Sequence, residues 1–209
     1  GGTRPLQATA INLGFGAKLT LQASQLPGPG QDTLDPLLLE LGDAPEGVAD
    51  GIRLRSPDPL AKVQIQRLQT TLPFTLEAGG SLSLAGPIQG QRLDLEAGTL
   101  VISPQTSSLS ASERLVLRQQ SSDPWRWSGL VPTAPSLSLS SGGDLQVRVD
   151  TTDLTVGSAG QVLLQNQTVG SSRLTLSGAG VQQLAFQGPL DVVNLDGGAG
   201  DVTLSVANG

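Results

Sequence analysis

Residues 78–102 read AGGSLSLAGPIQGQRLDLEAGTLVI. Two apolar pairs, Leu82/Leu84 and Leu93/Leu95, alternate at period two between Gly, Ser, Gln and Asp. That alternation buries one face of a strand and wets the other, and runs this short cannot carry a helical stripe. The pairs return every seven to eleven residues through most of the chain: Ile11/Leu13, Leu19/Leu21, Ile52/Leu54, Val63/Ile65, Phe74/Leu76, Leu115/Leu117, Leu137/Leu139, Leu145/Val147, Leu154/Val156, Leu174/Leu176 and Val202/Leu204. The pattern predicts some twenty short strands.

The unit also repeats. Gly79-Gly80-Ser81-Leu82-Ser83-Leu84 is echoed by Gly142-Gly143-Asp144-Leu145-Gln146-Val147, and more loosely by Gly170 to Leu176. After the first two, another pair follows about ten residues on, Leu93/Leu95 and Leu154/Val156 respectively, which sets a unit of roughly twenty residues. A lone unit of two or three strands leaves half of itself exposed, whereas stacked units hide one another. The expected fold is therefore all-β, a parallel β-helix solenoid over residues 1–209, preferred to a stacked sandwich. Its corners are expected at Gly157 to Gly160 and Ser177 to Gly180, where positive φ or a tight reversal suits Gly.

Composition agrees with a narrow repeating core. The 209 residues hold three Phe, two Trp and no Tyr, so Leu, Val, Ile and Ala must fill the interior. Layers of similar aliphatic side chains suit a column better than a globule. Cys, Met and His are all absent. Their absence removes disulfides, thiol nucleophiles, the usual general base and the commonest transition-metal ligand. Avoidance of thiols and thioethers also points to an oxidising exterior, and hence to an extracellular or bacterial cell-surface setting.

The net charge of −6, with twelve scattered Lys and Arg, argues against nucleic acid. No apolar run reaches the ~18 residues of a membrane span, and Gly1 to Pro5 carries no signal-peptide core, so a mature segment of something longer is expected. Two stretches break the rhythm and are expected as loop-rich excursions, residues 22–50 and 103–135. In the first, Asp35 to Leu41 reads as a buried strand or one short helix. In the second, the capping box Ser110-Ala111-Ser112-Glu113 is outweighed by the strand spacing of Leu115/Leu117.

Residues 78–102, with Ser140 to Gln167 and Gly170 to Gly188, resemble the repeats of filamentous haemagglutinin-like proteins, the exported adhesins of two-partner secretion and related giant surface proteins. The likeness lies in the order Gly-Gly, Leu-rich strand, small-residue corner, Leu-rich strand. It implies a right-handed parallel β-helix on the bacterial surface that works as an adhesive stalk. The chain departs from many β-helices in lacking an Asn ladder, since its only Asn are Asn12, Asn166, Asn194 and Asn208.

Chemistry has few candidates. Trp125, Arg126 and Trp127 place two indoles on one side of a Pro-flanked segment, where they could stack on a sugar face or hold a protein partner. The alternative is that both rings pin the segment to the column. Asp196-Gly197-Gly198-Ala199-Gly200-Asp201 resembles one calcium-binding RTX nonapeptide, but it stands alone and Val202 occupies a ligand position, so a plain corner is expected and Asp196 and Asp201 are weak calcium candidates. Asp94 and Glu96 share an outward face, and Asp144, Asp150 and Asp153 fall within one coil; without a base beside them, catalysis is not expected. The reading is thus a rigid non-catalytic stalk or spacer without cofactor. A glycan or protein receptor and end-to-end self-association through Val202 to Val206 are its possible partnerships. The alternatives are a tail-spike-like carbohydrate-binding or degrading β-helix and a filament subunit.

Overall fold

The computed structural model describes residues 73–103, 106–127 and 129–207, together with Pro59 and the segments 11–13, 38–42, 51–56, 62–65 and 68–70. Among these residues every regular element is a strand. They are β1 Ile11–Leu13, β2 Leu38–Gly42, β3 Gly51–Ser56, β4 Lys62–Ile65, β5 Leu68–Thr70, β6 Phe74–Leu84, β7 Ile88–Ile102, β8 Leu109–Gln119 and β9 Trp125–Arg126. The second half continues with β10 Ser136–Ser141, β11 Leu145–Val149, β12 Asp153–Ser158, β13 Val162–Asn166, β14 Ser172–Gly178, β15 Gln182–Phe186, β16 Leu190–Asp196 and β17 Val202–Val206. The pair Leu19/Leu21 and most of 22–50 lie outside the described residues.

The strands stack as a parallel β-solenoid of about seven turns. Sheet A runs β3–β6–β7–β8–β10–β12–β14–β16, and sheet B runs β9–β11–β13–β15–β17. Register makes the repeat explicit: Leu76, Leu95, Leu117, Leu139, Val156 and Leu176 are successive partners, so a coil takes 17 to 22 residues. A second row, Phe74, Leu93, Leu115, Leu137, Leu154 and Leu174, runs beside it. Every side chain in both rows is at most 2% exposed. Each fully buried aliphatic stabilises by about 1.5–3 kcal/mol, and neighbours of similar size above and below let each layer nearly repeat the packing of the last.

Among the described residues some strands are longer than the sequence suggests. Phe74–Leu84 joins the expected strands at Phe74/Leu76 and Leu82/Leu84, and Ile88–Ile102 extends well beyond its one expected pair, Leu93/Leu95. The reason lies at the Gly-Gly corner, where Gly79 and Gly80 oppose the single Gly98 and the register shifts, so the chain bends through a bulge without leaving the ladder. Likewise 103–135 is not wholly irregular, because β8 lies inside it as a regular ladder strand.

The corner glycines serve close approach rather than left-handed backbone. Among the described residues only Gly129 and Gly198 have positive φ; none of Gly157, Gly160, Gly178 or Gly180 does. A Cβ on Gly143 would lie 2.2 Å from the Ser122 carbonyl oxygen, and one on Gly200 would lie 2.0 Å from that of Gly180. Successive corners therefore rest backbone on backbone. Gly143→Ala is expected to destabilise the column by about 1–3 kcal/mol, because a rigid carbonyl must move aside. Urea unfolding beside a Gly170→Ala control, whose Cβ meets nothing closer than 4.0 Å, checks it.

Two edges of the column differ. β2 pairs with β3 antiparallel, against the parallel rule of every other described pair. At β16 and β17 the stacking rows reach Val192, Leu195 and Val206, which are 39–41% exposed, and a bulge at Val193 leaves that side chain outside as well.

Candidate functional site

The Trp125-Arg126-Trp127 segment lies where the ladder is interrupted. The second half of β7 pairs below with β6, but β8 stops at Gln119 and the chain next enters sheet B at β9. The backbone of Leu100 is completed there by a side chain. Gln119 Oε1 accepts from Leu100 N at 3.2 Å, while its Nε2 donates to the Asp123 carbonyl at 2.7 Å. A buried amide, 3% exposed, thus replaces ladder bonds that the strand no longer supplies.

The two indoles fill the core at this junction. Trp125 is 2% and Trp127 8% exposed, and their rings meet edge to face with centroids 5.0 Å apart. Register pairs Trp125 with Leu145, in the inward row that continues through Val162. Neither Nε1 has a hydrogen-bond partner, so packing alone holds the rings. Stacking on a sugar needs an open ring face, and both faces here are spent on the core. Of the three residues singled out, only Arg126 is exposed. Period two shows that the two rings share a side but not which side, which is why the sequence left both options standing.

Arg126 opens an outward row on sheet B. Its register partners are Gln146, then Leu163, Gln183 and Thr203, one on each successive strand. With Asp144, Gln161 and Val181 at the head of the strands, Arg126, Gln146, Leu163 and Gln183 line a shallow groove of about 150 Å³. The only carboxylate in it, Asp144, accepts from Gln161 N at 3.0 Å through Oδ1. The row joins residues 17 and 20 apart, so no local motif announced it.

The carboxylates weighed for chemistry are dispersed or already engaged. Arg118 Nη1 lies 2.7 Å from Asp94 Oδ1 and 3.4 Å from Glu96 Oε2, bridging the two. Gln120 Nε2 also donates to Glu96. Asp150 accepts from Thr168 Oγ1 at 2.6 Å, Asp144 heads β11 and Asp153 opens β12, so the three share a coil without sharing a site. Asp196 Oδ1 accepts from Gly198 N at 3.0 Å, making the turn before β17, and Asp201 contributes its backbone carbonyl to Gln182 N. No group of three or more Asp or Glu that could hold a metal occurs among the described residues.

The one buried Asn among the described residues works at a corner. Asn166, 1% exposed, donates from Nδ2 to the Thr151 carbonyl and to Ser172 Oγ, and its Oδ1 accepts from Thr151 N and Thr168 N. It closes one corner rather than starting a ladder.

Partial burial pushes the Asp94 carboxyl above its ordinary 3.8, the Arg118 guanidinium pulls it back and the Glu96 charge raises it again. A carboxyl raised on folding stabilises fully below its unfolded value, and that contribution disappears as pH rises through the folded value. Asp94→Asn removes the effect. The variant is therefore expected to gain on the parent in urea midpoint between pH 3 and pH 7, and a constant difference would refute it. Glu113 has the opposite sign, since hydrogen bonds from Arg92 and Gln91 hold it below its usual range.

Comparison with family models, with curated proteins and with solved structures gives no match.

Proposed function

We propose that this chain is a rigid, non-catalytic stalk or spacer of a bacterial extracellular or cell-surface protein, of the filamentous haemagglutinin-like kind. One observation carries the reading: two uninterrupted apolar rows run from β6 to β14 inside a continuous parallel ladder. Ladder hydrogen bonds that run along the axis, with a dry core beneath, make a column that resists bending and compression. The flanks suit an aqueous exterior, being rich in neutral Ser, Thr and Gln with charged residues at 14%. The engagement of Asp94 and Glu96 by Arg118 supports the absence of turnover, because a fixed cation holds the pair in the resting chain.

Force spectroscopy with handles at the two ends of the chain is the direct test. A stalk is expected to stay at its folded length under load and then to lengthen in steps of one coil, about 60 Å for some twenty residues at ~3.3 Å each. Extension at negligible force, as a slack linker gives, would end the reading. Antibody labelling of intact source cells tests the location, since label that appears only after lysis places the protein inside.

A further inference from the structure

We propose that the outer face of sheet B binds a uronate-bearing polysaccharide, with sugar carboxylates on Arg126 and Arg148 and hydroxyls on the glutamine row. The charge distribution singles out this face. A chain of net charge −6 repels polyanions as a whole. Arg92, Arg118 and Arg173 are each paired with carboxylates, and Arg114, exposed on sheet A without an ion pair among the described residues, lies in the field of the Asp94 carboxylate. Arg126 and Arg148 stand on neighbouring strands of sheet B, exposed and without an ion pair among the described residues. An unpaired guanidinium presents a planar fork of donors that fits a carboxylate in two places.

The rest of the groove suits sugar rather than peptide. Gln146 and Gln183 offer a donor and an acceptor each, which is what a ring hydroxyl needs. Leu163, 42% exposed, lies between them in the row, and Val181, 40% exposed, borders it; both can meet the C–H faces of a ring. Strand spacing sets these groups about 4.8 Å apart along the axis, a regular track for a ligand that itself repeats. A groove of about 150 Å³ holds part of one ring at a time, so the ligand must lie along the face. Asp144, its Oδ1 held by Gln161 N, is the one carboxylate lining the groove, and Asp201 stands at the head of β17 beyond it.

Calorimetry with a hexauronate, such as an alginate or galacturonate hexamer, tests the proposal against cellohexaose and hexaglutamate. The parent chain is expected to bind the hexauronate in preference to both, more tightly at low salt. Arg126→Gln and Gln183→Glu are each expected to weaken binding about tenfold or more with an unchanged circular dichroism spectrum, while Arg173→Gln on sheet A leaves it intact. Absence of hexauronate binding, equal binding of cellohexaose or hexaglutamate, or indifference to both groove substitutions would overturn the proposal. A column that binds no glycan would fail this test and could still be a stalk.

Discussion

Trp125→Ala is expected to lower stability by about 3–5 kcal/mol, the cost of a large cavity where the core changes course. The indole is 2% exposed and meets Trp127 edge to face, so its loss also strips the second ring of its main neighbour. Trp125→Phe is expected to cost much less, because the indole N–H it removes has no partner to lose. The comparison of the two variants in urea unfolding is decisive. If phenylalanine were as damaging as alanine, the ring would be held by its nitrogen and not by packing. Near-parent stability of the alanine variant would instead mean an exposed ring, and would return the segment to the list of contact surfaces.

Gln119→Leu comes next, with an expected loss of about 2–4 kcal/mol although the change makes the core more apolar. Leucine fills similar space but strands the buried Leu100 N and takes the partner from the partly buried Asp123 carbonyl, both of which the amide now satisfies. Each orphaned group costs about 1–3 kcal/mol, partly offset by the added apolar burial. Hydrogen exchange gives a local readout. The amide of Leu100 is expected to lose protection more than those of Leu93 and Leu95, which the intact ladder between β7 and β8 covers.

The architecture was legible because its signal is local. Pairs such as Leu93/Leu95 and Leu137/Leu139 state both period and face, and their return about twenty residues later states stacking. What escaped was whatever depends on the relation between coils. Gly143 and Gly200 look like turn residues when read singly, and only the carbonyl beneath each one shows that space, not φ, demands glycine. Gln119 looks like any surface glutamine until β7 is seen to outrun β8. The groove behaves in the same way: Arg126, Gln146, Leu163 and Gln183 are unremarkable apart, and they become a row only through a register set by coils of unequal length. For Trp125 and Trp127 the sequence supplied the pairing and withheld the direction.

The reversed strand β2 has an implication for how such a molecule lengthens over evolutionary time. A coil wound in the common direction would run against β2 and could not continue the parallel pattern beneath it. The block holds for the β3 path alone, because β1 pairs with β5 in the common direction, so any added storey must step round β2 rather than rest upon it.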